Sequence, residues 1–122
     1  MYELTIKTHF DAAHSLVDYP GACARLHGHT FGVDVVISGL ALNSIGLLYD
    51  FKELKDNVNA ILDRFDHRHM NEIAPFDEVS PTAENVANYL YHELKKSGLP
   101  TGISVKRVTI WESQDAGVSY YE

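Results

Sequence analysis

The sequence lacks most of the features that would assign a role at sight. One cysteine in 122 residues rules out an internal disulfide and a cysteine-rich zinc finger, and a lone thiol suits a reducing compartment. No apolar run approaches the ~20 residues that span a bilayer. The opening MYELTIKTHF also lacks the charged-then-apolar layout of a secretory leader. A cytoplasmic protein with no membrane partner is expected. Basic residues are scarce too: 10 Lys and Arg stand against 17 Asp and Glu, for a net charge of -7. A nucleic-acid partner is not expected, because neutralising phosphates takes a basic face. There is no internal repeat and no low-complexity tract. The chain reads as one domain, residues 1–122, long enough to hide roughly two thirds of its unfolded surface.

What is present is a regular alternation of patterns. In MYELTIKTHF, Tyr2, Leu4, Ile6 and Phe10 share one face and Glu3, Lys7 and His9 the other, the mark of a half-buried strand. Continued alternation puts His14 on the apolar face, at the end of an irregular extension. Tyr19-Pro20-Gly21 marks a turn, and a second strand follows from about His27 to Ser38. Asp50 caps a helix over Phe51–Phe65, whose apolar residues recur at helical spacing. A second helix begins with Ser80 as its cap and Pro81 in its first turn, and ends near Gly98. ISVKRVTIWES and VSYYE supply two more strands. The order strand, strand, helix, helix, strand, strand predicts an α+β fold, an antiparallel four-stranded sheet with both helices on one face. Simple alternation along ISVKRVTIWES sets Val105 and Trp111 on one side and Val108 and Ile110 on the other, which predicts a second buried face against another subunit.

The chemistry concentrates in CARLHGHTF. His27 and His29 are two apart on a strand, so their imidazoles point to the same side, and Gly28 between them adds no bulk. With His14 as a third nitrogen, three histidines would hold Zn2+ and leave a position open, as catalytic zinc sites do. The residues alone also allow an ordinary hydrogen-bonded pair. Cys23 is equally open to two readings, a small buried hydrophobe or a thiolate made acidic by a nearby cation and able to accept a proton. Asp66 and His67 are either a solvated loop pair or a carboxylate that fixes an imidazole's tautomer. Glu112, after Trp111, is either an exposed strand-end acid or the partner of a guanidine-like edge such as that of a pterin or guanine. His69 and His92 read as surface residues, and His9 as partly exposed or paired.

Six segments, FDAAHSL, CARLHGHTF, DFKELK, LDRFDHRHMN, SPTAEN and WESQDAGVSYYE, occur in the order seen in the 6-pyruvoyl-tetrahydropterin synthase family, and the resemblance covers nearly the whole chain. It implies a T-fold, a ββααββ subunit that assembles into a barrel, commonly a homo-hexamer made of two trimers with active sites at subunit interfaces. It further implies that His14, His27 and His29 are zinc ligands, Cys23 the catalytic thiol, Asp66 and His67 the proton-relay pair, and Glu112 the acid that anchors the pterin. Thr82 and Glu84 match a segment that lines the pocket. The gap of three residues between Cys23 and His27 resembles the bacterial and archaeal branch that makes 6-carboxytetrahydropterin on the way to queuosine. Members that make the 6-pyruvoyl product tend to have a longer gap. A further branch, which cleaves dihydroneopterin toward folate, carries a glutamate near the cysteine, whereas no acid occupies Ala22 to Leu26 here. The implied substrate is 7,8-dihydroneopterin triphosphate. The alternatives are 6-pyruvoyl-tetrahydropterin synthase activity and a non-catalytic, zinc-stabilised pterin-binding module.

Overall fold

A computed structural model describes all residues, 1–122. Strand β1 (Tyr2–His14) pairs antiparallel with β2 (His27–Gly39) along its whole length, from Tyr2 opposite Gly39 to His14 opposite His27. The expected irregular extension of β1 is therefore regular strand. Because the alternation never breaks, Leu4, Ile6, Phe10, Ala12 and His14 all face the core, and His14 is only 1% exposed.

Helix α1 (Phe51–Leu62) starts where expected: the Asp50 carboxylate accepts from the Glu53 N–H at 3.0 Å. It stops three residues before Phe65, which is still buried through a turn closed by its N–H bond to Leu62 O. Helix α2 (Ala83–Lys96) is capped by Thr82 rather than Ser80, with the Thr82 hydroxyl accepting from Asn85 N–H at 3.1 Å. Pro81 thus lies outside the helix, and its carbonyl is free for another partner. Lys95 and Lys96 sit in the last turn, at the negative end of the helix dipole.

Two further expectations are corrected. Besides β1 and β2 the sheet contains β3 (Arg68–His69), β4 (Ile103–Trp111) and β5 (Gly117–Tyr120); its five strands run in the order β3-β1-β2-β4-β5, and it is mixed rather than four-stranded and wholly antiparallel. The added strand β3 (Arg68–His69) is two residues long and runs parallel to β1, with Arg68 opposite Ala12 and His69 opposite Ala13. Periodicity cannot reveal an element of that length.

The second correction concerns β4 (Ile103–Trp111), which is followed by β5 (Gly117–Tyr120). Val105 pairs with Ile37 and Arg107 with Val36, so Lys106 is an extra residue that shifts the register. Such a bulge reverses the side-chain parity beyond it. Val105, Val108 and Ile110 consequently join one core, and the inference of a second apolar face from this strand falls. The opposite face at this end carries Trp111, whose indole N–H donates to Asp34 at 3.2 Å. Its ring lies where side chains on Gly32 and Gly117 would be: a β-carbon on Gly117 would stand 2.5 Å from it.

Both helices contribute to the single cluster that covers one face of the sheet, through Leu54, Val58 and Leu62 of α1 and Val86, Leu90 and Leu94 of α2. The fold is α+β, as expected. No helix is long and apolar enough to cross a membrane.

Candidate metal and catalytic centre

The β1–β2 pairing brings the three histidines together. His14 lies opposite His27, and His29 lies opposite Ala12, so all three project from the core face at one end of the sheet. Their ring centroids are 4.6, 5.1 and 4.7 Å apart, and one nitrogen from each lies within 4.8 Å of the others. Phe31 packs edge-on against His14 and His29 and closes the base.

Hydrogen bonds fix which nitrogens are free. His14 Nδ1 donates to Pro81 O at 2.7 Å, and His27 Nδ1 donates to Arg25 O at 2.7 Å. A carbonyl can only accept, so in each neutral ring the lone pair is left on Nε2. The Pro81 bond is compatible only with the later start of α2, since an earlier start would draw the Pro81 carbonyl into the helix. His14 is held below the ordinary imidazole range first by burial and also by the neighbouring His27 and His29, against the Pro81 bond and the charge of Glu112. Neutral imidazoles are the form that binds metal.

The Nε2 atoms of His14 and His29 are buried without a hydrogen-bond partner. An orphaned buried polar atom costs about 1–3 kcal/mol, and a cation shared among the three rings would relieve both. The donor set therefore fits a metal ion of the borderline, nitrogen-binding kind.

Cys23 lies in a single 3-10 turn, Ala22–Ala24, in the loop before β2. The turn is tied down by Leu16 N–H donating to Cys23 O at 2.9 Å, and the thiol is free and half-buried. Cys23, Thr82, Glu84, Glu112 and Asp115 line a cavity of about 540 Å³. Glu112 sits at its rim where β4 ends, its N–H donating to Ala116 O at 3.0 Å across the turn to β5. Three carboxylates and no Lys or Arg line this cavity, which suits a ligand rich in N–H donors. Thr82 reaches it while serving as the cap of α2.

Asp66 and His67 follow α1. His67 Nδ1 stands 3.1 Å from Asp66 Oδ1, which also accepts from Asp11 N–H at 2.9 Å. That backbone bond, more than the adjacent His67, holds the Asp66 carboxyl below its usual range. With His29, Asp11 and Arg68, His67 lines a second cavity, of about 610 Å³.

The structure thus joins the three histidines, joins Asp66 to His67, and gathers Cys23 with Glu112, Thr82 and Glu84. Cys23 and His67 line different cavities of the chain. Sequence reasoning missed Asp11 and Pro81. Asp11 is legible only as an outward-facing position of β1, and Pro81 acts through its main chain, which no side-chain pattern reports. His69, expected at the surface, has a buried and unpartnered Nε2, with Nδ1 3.4 Å from Glu72. The reason is the short pairing of β3 with β1. His92 does lie near the surface, bonded to Glu122 at 3.0 Å.

Comparison with known proteins bears on the family and the fold. A family model described as 6-pyruvoyl tetrahydropterin synthase matches residues 3–122. A Pyrococcus furiosus protein named dihydroneopterin monophosphate aldolase is 36% identical over 109 residues, covering 89% of this chain and 88% of the relative. A Synechocystis 6-carboxy-5,6,7,8-tetrahydropterin synthase is 29% identical over 117 residues, covering 92% and 87%. Among solved structures, Caenorhabditis elegans 6-pyruvoyl tetrahydropterin synthase superposes with a TM-score of 0.85 at 28% identity, over 100% of this chain and 97% of that one.

Proposed function

The chain belongs to the 6-pyruvoyl tetrahydropterin synthase family, and on that premise we propose that it is a zinc-dependent lyase acting on 7,8-dihydroneopterin triphosphate. The products are 6-carboxy-5,6,7,8-tetrahydropterin, acetaldehyde and triphosphate, with water consumed, a step toward queuosine and other 7-deazapurines. The observation that carries this reading is the set of three imidazoles with converging nitrogens, those of His14 and His29 buried and unpartnered, together with a cavity lined by a free thiol and Glu112. The name of the Synechocystis relative supports the 6-carboxy product.

His14, His27 and His29 would hold the zinc ion. Bound there, zinc supplies Lewis acidity toward the hydroxyl and carbonyl oxygens of the substrate side chain. Glu112 accepts hydrogen bonds from the amino and ring N–H groups of the pterin and keeps it in register. Cys23 takes a proton from the side chain on one side. His67, its tautomer set by Asp66, moves a proton on the other. Cys23 and His67 open onto different cavities, so this reading joins the two halves at an interface between copies of the chain. The assembly it calls for is the hexamer of two trimers.

Purified, zinc-loaded protein given 7,8-dihydroneopterin triphosphate tests the proposal. Acetaldehyde and the carboxylated pterin are expected, and Cys23→Ala should lose at least about 100-fold in rate while keeping its metal. A pyruvoyl pterin without acetaldehyde would move the chain to the 6-pyruvoyl reaction. Stable binding of the pterin without turnover would leave a binding module.

The name of the Pyrococcus relative favours a second reading, aldol cleavage of dihydroneopterin monophosphate. Cleavage of the first side-chain carbon-carbon bond would release a phosphorylated two-carbon aldehyde and leave a hydroxymethyl pterin. Offering both phosphates and identifying the aldehyde separates the two.

A further inference from the structure

His67 is held by a residue outside the proton-relay pair. Its imidazole stands between two carboxylates: Nδ1 is 3.1 Å from Asp66 Oδ1, and Nε2 is 3.9 Å from Asp11 Oδ2. Asp11 belongs to β1, whose outward face at this position is opposite to the one that carries His14. Its main chain grips both members of the pair. The Asp11 N–H donates to Asp66 Oδ1 at 2.9 Å, and the Asp11 carbonyl accepts from His67 N–H at 2.5 Å. The second bond clamps His67 at a φ of +58°, left-handed backbone that residues with a β-carbon seldom adopt and that recurs at functional sites.

The Asp11 side chain is itself fixed. Thr30, opposite Asp11 in the β1–β2 ladder, donates its hydroxyl to Asp11 Oδ1, which leaves Oδ2 turned toward the ring. The 3.9 Å gap to Nε2 is too long for a direct hydrogen bond. It acts as charge against a ring edge that opens into the cavity shared with His29. The other charged groups around the pair are His9, whose charge reaches Asp66, and Arg68 in the same cavity.

We propose that Asp11 is a positioning residue for His67: its carboxylate fixes the ring between two anions and directs the Nε2 edge into the cavity. This deepens the function proposed above and rests on it, since it gives a reason why His67 can move a proton in one direction of space rather than several.

Asp11→Asn isolates the carboxylate. It keeps the backbone bonds to Asp66 and His67, keeps an oxygen for the Thr30 hydroxyl, and replaces the charged oxygen facing Nε2 with an uncharged amide NH2. In zinc-loaded full-length protein, kcat on the pterin triphosphate should fall about tenfold, with KM unchanged within about twofold. Asp11→Glu should recover most of that loss. Metal content and melting temperature should match the wild type. Long-range 1H–15N correlation of the His67 ring should show lower proton occupancy at Nε2 in Asp11→Asn. Unchanged kcat with unchanged ring signals would overturn the proposal. So would a loss that tracks a lower melting temperature and is not recovered by Asp11→Glu. The ring signals need no turnover, so a wild type that is inactive on pterins sinks the functional reading while the Asp11–His67 relationship is still judged on the spectrum.

Discussion

His14 Nδ1 donates to the carbonyl oxygen of Pro81 across 2.7 Å, a contact between the end of β1 and the segment just before α2. It decides which nitrogen of a buried histidine is left without a hydrogen bond at this end of the sheet. Removing a ring that shares in the site should be felt as lost metal. His29→Ala is expected to lower zinc affinity by at least about 100-fold, measured by competition with a chromophoric chelator. Full occupancy in His29→Ala would show that the cluster does not bind as a set.

Metal should also stabilise the fold, because only the folded chain brings the three rings together. Free zinc at about 100 times its dissociation constant should add about 2.7 kcal/mol. The check is a melting temperature that falls on chelation, recovers with zinc, and does neither in His14→Ala.

Asp66 gives a pH dependence whose sign follows from its lowered pKa. The Asp11 N–H bond stabilises the carboxylate only in the folded chain. The contribution is therefore complete above the ordinary aspartate range, about pH 4, and is lost as the pH falls through the lower folded value. In thermal melts from about pH 6 to pH 2.5, the gap between wild type and Asp66→Asn should be widest at the upper end and close toward the lower. A gap that stays constant across the range would contradict the assignment.

The start of α2 is tested by two caps. Thr82→Ala should cost about 1 kcal/mol in urea denaturation, because the Asn85 N–H loses its acceptor. Ser80→Ala should cost less, since the Ser80 hydroxyl accepts only a 3.3 Å bond from Val17 N–H at an exposed position. The reverse ranking would restore Ser80 as the cap.

Gly117→Ala should destabilise the β4–β5 end by about 1–3 kcal/mol, because the new methyl meets the Trp111 ring at 2.5 Å. Indole fluorescence and the denaturation midpoint report it together. An unperturbed midpoint would mean that the ring does not pack across the glycine.

Much of this molecule was legible in residue order because its pattern is periodic. The unbroken alternation of β1 put His14 on the core face, the His27-Gly28-His29 spacing put two imidazoles on one side, and the apolar stripes of α1 and α2 gave a core covered by helices. Those features depend on side chains repeating along one element, which a sequence records directly. Three features depended on contacts between distant segments. The extra residue at Lys106 turned an apparently two-faced strand into a one-faced one. The two residues of β3 became a strand only by lying beside β1. The hydrogen-bonding roles of Pro81 and Asp11 belong largely to main-chain groups, a carbonyl in Pro81 and an N–H and a carbonyl in Asp11, which differ from those of other residues only in what the fold sets against them. The sequence by itself determined which nitrogens, thiol and carboxylates the protein owns and the face on which most of them lie. Tertiary structure alone decided which lone pairs are free and which carboxylates face which ring, because hydrogen bonds and charge interactions act over a few ångströms between residues that the chain separates by dozens of positions.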